Sequence, residues 1–410
     1  MKPKPIGPIP AGFEALNGEL AIGGKTASEW AEKAGKTPLF VYSHDLLTAR
    51  VAELRAALPQ RIGLNYAVKA NPYAPVVSHM EGLVDGFDIA SSGELAITNS
   101  VGIDPARISF AGPGKRDDEL EAAIAAGVTL NCESEGEARR AIAIGERLGK
   151  APRIALRVNP DFELRGSGMK MGGGAKQFGI DADKVPAMAR EIIATGIEWR
   201  GLHIFTGSQA LSADAIIEAQ SNVLELAAKL SDEIGAGLPK LNMGGGFGIP
   251  YFPGDEPLDL GAIGAALHER VERLPDALAD TELCLELGRY LVGEAGVYLT
   301  RIVDHKVSHD TTYLITDGGL HHQLAASGNF GTVVRRNYPV AIANRYDAPA
   351  DDIVNVVGCL CTPLDRLADK AALPHADVGD LVAVFCAGAY GATASPSAFL
   401  GHGPAAEMLV

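Results

Sequence analysis

Lys69 closes an apolar, strand-like run from Ile62 to Val68, and Asn71-Pro72 behind it turn the chain out of the strand. An amine set among Tyr66, Ala67, Val68 and Ala70 is expected to be partly desolvated. That favours its neutral form and makes it a nucleophile able to form an imine with an aldehyde. A lysine that snorkels to water is the alternative for this residue taken alone. Other chemically capable groups recur at the ends of short apolar runs. Asp88 stands in Phe87-Asp88-Ile89 with Glu94 just after it, Arg157 ends a run begun at 153, and His203 and Phe205 end another. Met243-Gly244-Gly245-Gly246 and Glu286-Leu287-Gly288-Arg289 follow. An acid buried in a strand is costly unless it is paired, so a ring of charged strand ends predicts one shared polar site.

These groups need a scaffold that gathers strand ends. Apolar runs stand at 62–68, 86–89, 108–111, 128–131, 153–158, 200–204, 240–243 and 283–286, with helical patterns such as 117–124 and 135–148 between them. Eight such repeats over about 225 residues predict an α/β fold with a (β/α)8 TIM barrel over 47–288, whose functional groups sit at the C-terminal ends of its strands. A doubly wound open sheet has the same periodicity and stays open as an alternative. After Tyr290 the strand-like runs 297–303, 312–316, 353–357 and 381–385 lack long helices between them. They predict a C-terminal antiparallel β domain of residues 289–410, joined by 1–46 through the strand Leu39–Tyr42.

On that scaffold the glycine run follows the seventh strand, where backbone N–H groups can face a phosphate. Glu286 and Arg289 follow the eighth and supply a carboxylate and a fixed cation. With Lys69 these are the parts of a pyridoxal 5'-phosphate site, in which the carboxylate keeps the ring nitrogen protonated. Cys359 and Cys361 form a Cys-x-Cys, but no second Cys/His pair has metal-ligand spacing and His321-His322 are adjacent, so no metal is expected. The formal charge of −15 argues against nucleic acid or an anionic membrane as partner. No apolar run approaches the roughly 18 residues of a membrane helix, and the first residues lack a signal-peptide core. Five cysteines without framework spacing predict reduced thiols and a cytoplasmic protein.

Tyr66-Ala67-Val68-Lys69-Ala70-Asn71, Phe87-Asp88-Ile89-Ala90-Ser91, Gly244–Gly246, Glu286-x-Gly288-Arg289, Gly358-x-x-Cys361 and Ala387-Gly388-Ala389-Tyr390 occur in one order over 39–410. In that order the chain resembles the alanine-racemase-fold, pyridoxal-phosphate-dependent decarboxylases of diaminopimelate, ornithine and arginine. The resemblance implies that Lys69 carries the imine, Glu286 contacts the ring nitrogen, and Gly245, Gly246, Arg289, Ser208 and Tyr390 hold the phosphate. Asp88 and Arg157 match polar residues of the cofactor pocket. Cys361 matches the proton donor and Asp365 a substrate-facing acid, both contributed to the partner's site of a head-to-tail homodimer.

The departures are as specific. Phe205 stands where the family's His-x-Gly-Ser has its ring-stacking histidine; it can stack but moves no proton. Thr362 replaces the glutamate of the diaminopimelate pattern Cys-Glu-Ser-Gly-Asp, and His402 falls where that pattern has an arginine. Cys361-Thr362-Pro363-Leu364-Asp365 resembles a side branch that includes exosortase-associated enzymes and decarboxylases of a carrier-tethered glutamyl group. The expected substrate is therefore an amino acid with an uncharged or acyl-linked distal end, a tether to an acyl carrier protein included, rather than free diaminopimelate. Diaminopimelate decarboxylation in lysine biosynthesis, amino-acid racemisation and a non-catalytic cofactor-binding regulator are the alternatives. The last is disfavoured because Lys69, Glu286 and Cys361 are all present.

Overall fold

The computed structural model describes residues 2–328 and 336–410. The chain divides into two compact units, one of residues 51–248 and 258–288, the other of 1–50, 249–257 and 289–410.

The first unit is the barrel. Its strands are Ile62–Ala67, Gly86–Ile89, Ile108–Phe110, Thr129–Cys132, Arg153–Asn159, Glu198–Ile204, Lys240–Asn242 and Glu282–Leu287. Each pairs in parallel with the next, and the last pairs with the first through Leu283 opposite Ile62 and Glu286 opposite Asn65. That closing pair excludes the open sheet. Helices lie between consecutive strands and start on short polar caps, because the first turn's N–H groups need acceptors. Ser91 accepts from Glu94 N, Ser134 from Glu137 N, Ser212 from Ala215 N and Asp259 from Ala262 N. The barrel strands are buried almost throughout, as expected of a parallel sheet covered by helices.

The second unit is a β domain built on the 13-residue strand Gly296–Ser308. Leu39–Tyr42 pairs with its start, so the two ends of the chain do meet in one sheet. Val41, Leu39, Val297, Leu299, Leu381, Ala383 and Phe385 alternate onto one face and pack with Trp30, Leu20 and Ile22. The Trp30 indole N–H donates to the Ile22 carbonyl at 2.7 Å, which satisfies its polar edge inside that core. The sheet is mostly but not wholly antiparallel. Thr311–Thr316 runs parallel to Asp352–Val357, and Ala406–Leu409 parallel to Leu39–Tyr42. Long connections separate both pairs in sequence, which is what parallel neighbours require. Among the described residues no helix is long and apolar enough to cross a membrane.

Candidate active site

Lys69 leaves the first barrel strand on a single 3-10 turn, Val68–Ala70. The turn lifts the side chain away from its apolar neighbours, and it is 44% exposed. A carboxylate and an aromatic face lie beside the amine. Nζ stands 3.4 Å from Glu286 Oε1 and 5.6 Å from the centre of the Phe205 ring.

Glu286 lies one residue before the end of the eighth strand, and its side chain is only 4% exposed. Burial opposes its charge, but Lys69, His203 and Arg157 outweigh burial and hold the carboxyl well below the usual carboxylate range. Its Oε2 is 3.0 Å from His203 Nε2, without the alignment of a hydrogen bond. That oxygen and both His203 nitrogens are buried with no hydrogen-bond partner. Burial lowers the His203 pKa and so favours the neutral ring.

Asp88 is buried in the second strand, bonded by the Ser109 hydroxyl and approached by Asn242 Nδ2 at 3.5 Å. Burial, and then the Glu286 carboxylate, raise its pKa toward neutrality. The barrel thus holds two carboxyls with opposite tendencies, Glu286 anionic and Asp88 reluctant to ionise. Arg157 is pinned by Glu133 through a 2.8 Å buried ion pair and lies over the Phe178 ring. Glu133 also accepts from the backbone N–H groups of Gly112 and Gly179. Sequence reading gave no role to His203 and did not mark Glu133. A period-two strand puts His203 on the same face as Phe205, and that signal was available.

Gly244, Gly245 and Gly246 follow the seventh strand. Gly246 has φ +93°, and a Cβ there would meet Leu164 Cδ2 at 2.6 Å; a Cβ on Gly245 would stand 2.1 Å from the Glu286 carbonyl oxygen. Ser208 Oγ is buried with no partner. A side-chain-free cradle, an unpartnered hydroxyl and an unpartnered buried carboxylate oxygen beside a lysine fit a cofactor with a phosphate, a basic ring nitrogen and an aldehyde. Gly245→Ala is expected to push the seventh and eighth strand ends apart, costing about 1–3 kcal/mol as overpacking does. A lowered Tm together with cofactor loss on gel filtration would show it; an unchanged Tm and full cofactor content would not fit so tight a contact.

The remaining expected residues belong to the β unit. Arg289 Nη1 donates to the Tyr251 hydroxyl at 2.7 Å, and the guanidinium lies 4.7 Å from the centre of the Tyr390 ring, so two of the expected phosphate groups meet. Burial pushes Tyr251 up to about 12, which keeps it a phenol. Cys361 is exposed and Thr362 half-buried on the loop after Asp352–Val357. Asp365, expected to face substrate, has backbone partners within its own chain. It is buried, its oxygens accept from Leu320 N at 2.6 Å and Leu360 N at 2.9 Å, and Gly319 and Gly358 press against it. A carboxylate in that setting fastens the cysteine loop from below. His402 is exposed, with Nε2 4.0 Å from Cys359 Sγ.

The family model described as the pyridoxal binding domain of pyridoxal-dependent decarboxylases matches residues 44–293. The L-glutamyl-[BtrI acyl-carrier protein] decarboxylase of Niallia circulans is 35% identical over 383 residues, 92% of this chain and 89% of that protein. The diaminopimelate decarboxylase of Archaeoglobus fulgidus is 33% identical over 401 residues, 97% of this chain and 93% of that protein. The crystal structure of the M. jannaschii diaminopimelate decarboxylase in co-complex with L-lysine superimposes with TM-score 0.85 at 25% identity, over 97% of this chain and 92% of that one.

Proposed function

The chain belongs to the pyridoxal-dependent decarboxylases, and we propose that within this family it acts on an α-amino acid whose distal end is acyl-linked, a glutamyl group on an acyl carrier protein foremost. When bound, pyridoxal phosphate supplies an imine-forming aldehyde and a ring that accepts the electron pair left by departing carbon dioxide. Lys69 supplies the amine that anchors the aldehyde and yields to the substrate amine. Glu286 provides the buried negative charge that keeps the ring nitrogen protonated, with His203 and Arg157 keeping Glu286 itself ionised. Phe205 offers an apolar face for stacking, while Gly245, Gly246 and Ser208 offer backbone and hydroxyl donors to the phosphate. Cys361 is the proton donor to the substrate carbon, in a homodimer that shares its sites.

The buried Glu286 carboxylate, held ionised and 3.4 Å from Lys69 Nζ, carries the chemistry. Thr362 carries the substrate choice. Diaminopimelate brings a second ammonium and carboxylate, and a neutral hydroxyl cannot replace the charge they need when desolvated. Leaving them unmatched costs roughly 3–5 kcal/mol. The Niallia circulans relative, named for a carrier-linked glutamyl substrate, supports the same reading. Diaminopimelate is the second reading, supported by the relatives of that name. Carbon dioxide release from carrier-linked glutamate, glutamyl amides and meso-diaminopimelate separates them. The expected kcat/KM favours the acyl-linked substrate by about 100-fold or more. Efficient turnover of diaminopimelate, at about 10⁴ M⁻¹s⁻¹ or above, would overturn the substrate assignment.

A further inference from the structure

The β unit contains a further cluster of chemically capable groups, His321, Cys359 and His402. His321 is fully buried, and neither of its ring nitrogens has a hydrogen-bond partner. The adjacent His322 is the contrast, with Nδ1 3.2 Å from the Tyr298 hydroxyl and Nε2 3.0 Å from the Gly403 carbonyl. Buried polar groups are nearly always partnered, so two idle nitrogens on one imidazole call for a ligand. His321, Cys359 and His402 each offer one ligand atom, and the three atoms lie within 4.8 Å of one another. Ligands about 2.0–2.3 Å from a tetrahedral zinc stand about 3.3–3.8 Å apart, so the group needs a contraction of about 1 Å. His402 can supply it: it is exposed and lies between Gly401 and Gly403, both at positive φ.

We propose that His321, Cys359 and His402 form a binding site for a borderline-soft divalent transition metal, zinc foremost, with three protein ligands and an open fourth position. As the metal–sulfur bond forms, the Cys359 thiol proton leaves to solvent. His402 then acts as a metal ligand and not as a substrate contact. The three residues come from separate loops, and metal-ligand spacing in sequence sees only local pairs, so the motif reading has no means of pointing to this site.

The test does not depend on the decarboxylase substrate. Holoenzyme freed of adventitious metal by a chelator is titrated with Co²⁺. The expected result is one Co²⁺ per chain, a thiolate-to-cobalt charge-transfer band and the intense visible bands of a four-coordinate ion, all displaced by Zn²⁺. Cys359→Ser should remove the charge-transfer band, and Cys361→Ser should leave it in place. His402→Ala, which changes an exposed side chain and leaves the core intact, should weaken binding by at least about 100-fold, beyond what a change outside the ligand set usually costs. Weak six-coordinate bands only, or a spectrum that survives both Cys359→Ser and His402→Ala, would overturn the proposal.

Discussion

Lys69→Ala is expected to abolish decarboxylation and to leave a chain that fixes no cofactor covalently. The side chain is accessible at the end of the first strand, 3.4 Å from the Glu286 carboxylate, and an alanine offers neither amine nor charge there. The loss combines a nucleophile and a group placed to move protons, so turnover should fall by about 10⁴-fold or more. Borohydride reduction reads the effect without depending on substrate. In the wild type it should add the cofactor mass to the peptide containing Lys69, and in the variant to no peptide. Cofactor mass on a different lysine, or turnover within tenfold of wild type, would remove Lys69 from its role.

Glu286→Gln is expected to keep the fold and lower kcat by about 10²–10³-fold, the usual loss when one preorganised electrostatic group is removed from a buried site. Glutamine has the size of glutamate but cannot carry the charge that Lys69, His203 and Arg157 stabilise. Because the folded carboxyl is held below its ordinary range, it is ionised throughout the neutral region. The fold-loss should therefore be the same at about pH 6 and about pH 8, since neither is near its titration. The sign for stability follows from the same depression. Glu286 contributes stability that is present above the unfolded carboxylate's pKa and is lost only as pH falls through the lower folded value. A kcat unchanged by the substitution, or a loss that disappears at one end of that pH window, would show that the charge is not what the site uses.

What the sequence determined by itself is local. Runs such as Ile62–Val68 and Leu283–Glu286 are strands because their apolar residues can be buried only in extended chain between helices, and all eight appear in the barrel. The placement of Lys69, Asp88, Arg157 and Glu286 at or near strand ends follows from the same runs. Tertiary structure decided whatever depends on residues meeting across the chain. Closure of the sheet rests on Leu283 opposite Ile62, and no periodicity encodes that pairing. A 3-10 turn exposes Lys69, although its neighbours in sequence suggest burial. Arg157 found Glu133, and Asp365 found the N–H groups of Leu320 and Leu360, pairings across the chain that no local pattern encodes. His321, Cys359 and His402 converge from three loops, and only the folded sheet brings them within 4.8 Å. Secondary structure is set by neighbours a few residues away, whereas charge pairing and metal geometry are set by distances that exist only after the chain has folded.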